Sequence, residues 1–111
     1  MTMIEICCGS YEDALAAWRG GAGRIELNSA LALGGLTPSA ACVRLVKGST
    51  GLKVISMVRP RGAGFCYTEA EAEQMFAEAE ELLEAGSDGL AFGFLTGDRR
   101  IDRDRTARMV E

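Results

Sequence analysis

The chain holds 111 residues, 48% of them hydrophobic and 25% charged, with a formal net charge of −4. These values predict one soluble domain with a small core. They argue against nucleic acid, for want of a basic stripe, and against a membrane span, for want of an apolar run near the roughly 20 residues required. Met1-Thr2-Met3-Ile4-Glu5 has neither the basic nor the apolar stretch of a signal peptide, so a cytoplasmic setting with reduced thiols is expected. Cys7, Cys8, Cys42 and Cys66 form no C-x-x-C, which argues against a zinc ribbon. Histidine is absent, which removes the commonest general base and the commonest metal ligand.

The predicted elements alternate. Ile4 to Cys7 reads as a strand, and Ser10 to Gly20 as a helix capped by Ser10 and ended by Gly20-Gly21. Arg24 to Asn28 is the second strand. After the Leu33-Gly34-Gly35-Leu36 loop, Thr37 suits an N-cap and Pro38 a first helical position, for a helix running to Gly48. Val54 to Val58 is an apolar third strand. Thr68 and Glu71 form a capping box for a third helix, with Met75, Phe76, Ala79, Leu82 and Leu83 as its apolar face. Gly86 ends it, and its remaining glutamates are expected to face solvent. Gly89 to Leu95 is the fourth strand and Asp102 to Glu111 the fourth helix.

This order predicts an α/β fold over residues 1–111 as a single domain: a parallel βα sheet of TIM-barrel type, with right-handed crossovers. A closed barrel needs eight units and about 250 residues, and four are present, so the reading is a half-barrel. Such a sheet exposes its first and last strands. A homodimer joining these edges would restore eight strands.

Alternation along the strands places Glu5 with Cys7, and Glu26 with Asn28, opposite the bulky apolar residues. Arg59 has the parity of Ile55 and Met57. The polar set is expected on the barrel interior. Arg59 and Arg61 in Val58-Arg59-Pro60-Arg61-Gly62 stand where an apolar strand runs into a loop, the end at which α/β proteins bind ligands. Guanidinium is a rigid donor fork for carboxylate or phosphate. Glu5, Glu26, Arg59 and Arg61 are therefore expected to converge, either as a charge network filling the barrel or as a site for a small anion. In the second case the arginines grip the ligand and a glutamate serves as acid or base. The Leu33–Ser39 stretch reads as an anion seat at a helix start or as a tight turn. Cys66 reads as loop packing.

Five segments in order, Ile4-Glu5-Ile6-Cys7-Cys8, Arg24-Ile25-Glu26-Leu27, Gly34-Gly35-Leu36-Thr37-Pro38-Ser39, Arg59-Pro60-Arg61-Gly62 with Phe65-Cys66-Tyr67, and Gly89-Leu90-Ala91-Phe92-Gly93, resemble the amino-terminal half of the copper homeostasis CutC family. Gly97, Ile101 and Asp102 continue the match. The resemblance implies a (βα)8 barrel, a cytoplasmic role and Cu(I) as cargo. In some members two cysteines, on the first two strands, are proposed to hold the ion. Cys7 matches the first of these and Asn28 the second, while Glu5, Glu26, Arg59 and Arg61 match the family's charged residues. A small anionic ligand held by Arg59, Arg61 and Asn28, or an inactive fragment, are the competing readings.

Overall fold

A computed structural model describes residues 2–111. Four strands, β1 (Glu5–Cys8), β2 (Arg24–Leu27), β3 (Lys53–Met57) and β4 (Gly89–Ala91), alternate with helices α1 (Tyr11–Arg19), α2 (Ala40–Ser49), α3 (Glu69–Glu84) and α4 (Arg103–Val110). The strands form one sheet in the order β1-β2-β3-β4, every pair parallel. Cys7, Glu26, Ile55 and Gly89 stand level across it. The predicted α/β alternation and parallel sheet are therefore present.

The helix starts follow local chemistry. Ser10 accepts the Asp13 N–H, and Thr68 and Glu71 form the reciprocal capping box. One cap lies elsewhere than expected. The α2 N-cap is Ser39, which accepts the Cys42 N–H. Thr37 is engaged across the sheet instead: its hydroxyl accepts the Arg59 N–H and its own N–H donates to the Arg59 carbonyl. A tertiary partner has taken the residue that local sequence offers as a cap.

The fourth strand is shorter than its apolar run suggests, ending at Ala91. Beyond it the chain bends away, with Leu95 bonded to the Phe65 carbonyl and bridged antiparallel to Ile101. Phe94 then buries itself against Phe76 (5.7 Å between centroids) and Tyr67. Leu83, expected in the apolar face of α3, is exposed, whereas Ala72, Met75, Ala79 and Leu82 are buried.

The core lies on one side of the sheet. Ile25, Leu27, Val54 and Val58 point into it, meeting Val43 and Val46 of α2 and Met75 and Leu82 of α3. At the amino ends of the strands Asp88 accepts from Lys47 Nζ and the Val54 N–H. Burial alone would raise its carboxyl pKa, but these bonds bring it below the usual value. Among the described residues the outer strands β1 and β4 have no neighbour on their outer sides, and Ile4 and Ile6 beside the β1 edge are exposed.

Candidate functional site

The residues opposite the core define the open face. Cys7, Glu26, Ile55 and Met57 alternate with the buried positions, and Asn28 and Arg59 extend two of these strands past their carboxyl ends. Period-two alternation dictates this, and it matches the parity read from the sequence.

Cys7, Glu26 and Asn28 come together. Asn28 is buried, and its Nδ2 donates to Glu26 Oε1 at 3.2 Å, to the Glu26 carbonyl at 3.3 Å and toward Cys7 Sγ at 3.5 Å. An amide just past the end of the second strand thus lies against the Cys7 thiol. Gly35, at φ +93°, makes room for it: a Cβ there would stand 2.6 Å from Asn28 Oδ1. Desolvation raises the Cys7 pKa, and the nearby Glu26, Asp13 and Glu5 carboxylates raise it further. Cys7 is therefore a protonated thiol at neutral pH. Cys8 faces the other way, fully buried under the helices, with its pKa pushed up to about 11 mainly by burial. Among the described residues, no group of three or more His, Cys, Asp or Glu is arranged to hold a metal ion.

The expected convergence of four charges does not form. Glu5 opens β1 beside Arg24 and makes its ion pair there. That is the amino end of the sheet, roughly 20 Å below Arg59 at about 3.3 Å of rise per residue. Glu26 takes its bond from Asn28 rather than from an arginine. Arg61 turns back on its own loop. Its Nε and Nη2 grip the Glu71 carboxylate at 2.7 and 3.0 Å, and its remaining donors reach the carbonyls of Gly62, Ala63, Gly64 and Cys66. The guanidinium also lies 4.6 Å above the Tyr67 ring. The Arg61 fork and the Thr68 N–H hold the Glu71 carboxyl down at about 2.

Arg59 is the exception. Its guanidinium lies 4.7 Å over the Phe65 ring, and its Nε is buried without a hydrogen-bond partner. No carboxylate among the described residues lies within 4.0 Å of it. Gly34, at φ +97°, lets the side chain pass: a Cβ there would stand 3.0 Å from Arg59 Nη1. The hydroxyl of Tyr67, whose ring is buried, also lacks a partner. Burial raises its pKa against the pull of Arg59 and Arg61, so it remains a neutral donor.

Sequence reading alone missed Arg24, Phe65 and Tyr67 as members of these clusters. Arg24 was recoverable, because strand starts stand level in a parallel sheet. Phe65 and Tyr67 were not, since the path of a loop decides which cation covers which ring. The loop before α2 is closed by Ser29 and Leu36, which bond to each other across it, and Glu78 lines the cleft beside Ser39.

A single parallel sheet built from consecutive βα units, with its polar side chains on the face away from the helices, defines part of a TIM-type βα barrel. The chain belongs to the CutC family, whose model matches residues 2–111. It is 52% identical to a CutC family protein of Treponema denticola over 97% of its length, and 45% and 46% identical to the copper homeostasis protein cutC homologs of mouse and human over 97% and 92%. It spans 44%, 40% and 37% of these relatives. The crystal structure of a Streptococcus agalactiae CutC superposes with a TM-score of 0.89 at 30% identity, covering 99% of this chain and 54% of that one. No helix of the described chain is long and apolar enough to cross a membrane.

Proposed function

We propose that this chain acts in copper homeostasis in the cytosol, taking Cu(I) as cargo on Cys7. One observation carries the reading: an exposed thiol on the open face of β1, with the Asn28 amide 3.5 Å from its sulfur. The names of its relatives supply the biological setting. Cu(I) favours soft sulfur ligands, and an amide is a poor one. Cys7 therefore supplies one thiolate and a small exogenous thiol the other. An open site of this kind releases its ion readily, which suits handling rather than storage. The thiol must lose its proton to bind. Because its pKa is raised, capture strengthens as pH rises.

A Cu(I) titration against a chromophoric competitor, under strict reduction and with added thiol, tests this. Binding lost in Cys7→Ser and tightened in Asn28→Cys, which sets two thiols side by side, is the expected result. Equal competition by the wild-type chain and Cys7→Ser overturns it. We also propose that a second copy covers the free β1 and β4 edges, pairing β4 of one with β1 of the other. The exposed Ile4 and Ile6 at one edge support this. Light scattering should report a dimer, and a monomer at high concentration refutes the pairing.

A further inference from the structure

We propose a second site, separate from Cys7: a pocket at the carboxyl end of β3 and β4 for a small ligand with one anionic group on an apolar body. Arg59 would take the anion. Its charge has no carboxylate partner among the described residues, and its buried Nε bonds to nothing. A buried donor in this state is costly, and an acceptor from outside the chain removes the deficit. Tyr67 supplies the independent observation. It is only 5% exposed, its neutral hydroxyl also lacks a partner, and it lies close enough for Arg59 to act on its pKa. Two neighbouring groups able to donate, neither paired within the described chain, describe a place for an oxyanion.

The body of the ligand has a place as well. Phe65, which covers the Arg59 guanidinium, also forms one wall of a cleft of about 320 Å³ with Met57, Ala91, Gly93 and Leu95. Small residues at the end of β4 and just past it, Ala91 and Gly93, leave room there beside Phe65. The cleft is almost wholly apolar, so it offers the ligand's body little but burial and an aromatic edge. Arg59 is fixed from behind by its backbone bonds to Thr37, and Arg61 locks the loop that carries Phe65. The two arginines thus divide the work. Arg61 holds the loop and Arg59 is free to bind.

The test uses benzoate, its neutral counterpart benzamide, and inorganic phosphate, each titrated into the isotope-labelled chain and followed by amide chemical shifts. Benzoate should bind saturably and shift the Arg59, Phe65, Ala91 and Gly93 signals. Benzamide should bind at least about tenfold more weakly, the cost of losing a charge-assisted pair. Arg59→Gln should abolish benzoate binding with the spectrum otherwise intact. Gly93→Leu, which fills the cleft and leaves Arg59 in place, should abolish it too, while Cys7→Ser leaves it unchanged. Equal binding of benzoate and benzamide, tighter binding of phosphate than benzoate, or benzoate binding that survives Arg59→Gln would each overturn the proposal. So would the absence of saturable shifts with benzoate.

Discussion

The two faces of this sheet are built from alternate residues of the same strands, yet they are in opposite states. On the helix-covered face Ile25, Leu27, Val54 and Ser56 are fully buried, and the one polar group among them is satisfied by Ser87 at 2.8 Å. On the open face Cys7 is exposed, Glu26 and Arg59 are half-buried, and donors are left unpaired. Burial needs apolar atoms and completed hydrogen bonds, whereas binding needs groups the protein leaves incomplete. One face is therefore the source of stability, and the other carries the groups left incomplete.

Substitutions should separate the two. The largest effect is expected from Leu27→Ala, which opens a cavity in the packed face at a cost of about 2–5 kcal/mol. Urea denaturation measures it, and a cost under about 1 kcal/mol would mean the two faces are packed alike. Next comes the Arg61–Glu71 grip. The Glu71 carboxyl titrates at about 2 in the folded chain, below its unfolded value of about 4.3. Its contribution is thus fully present above the unfolded value and is lost as pH falls toward 2. Glu71→Gln should remove that share of the acid sensitivity, so melting temperatures followed from pH 6 to pH 2 should fall less steeply than in the wild-type chain.

A smaller effect is expected at Ser56. Ser56→Ala leaves the Ser87 hydroxyl its bonds to the Val54 and Gly89 carbonyls, so the loss should be about 1 kcal/mol or less by denaturant titration. The smallest belongs to the open face. Cys7→Ser and Arg59→Gln should change stability by no more than about 0.5 kcal/mol while removing ligand binding. A large loss of stability in either would erase the contrast between the faces.

The two arginines show the same contrast within one loop. In sequence Arg59 and Arg61 look alike, each following an apolar strand. In the structure Arg61 is saturated by Glu71 and four loop carbonyls, whereas among the described residues Arg59 has an aromatic ring over its guanidinium, no carboxylate within 4.0 Å and a buried Nε without a partner. Spacing places both at the end of β3. It cannot tell which one the loop folds around, because that depends on where α3 sets Glu71.

The order of strands and helices, the parallel sheet, the capping box of α3 and the face on which each strand residue lies were all legible in the chain. These depend on neighbours a few residues apart, through side-chain alternation and local capping bonds. Family membership followed from the same short motifs in order. Tertiary structure alone decided that Thr37 anchors Arg59 instead of capping α2, and that Glu5 pairs with Arg24 at the far end of the sheet from Arg59. It also decided that Asn28 rests on Cys7, and that β4 ends early so that Phe94 can bury. Each of these is a contact between residues distant in sequence, and competition among several possible partners settles it only once the strands have docked.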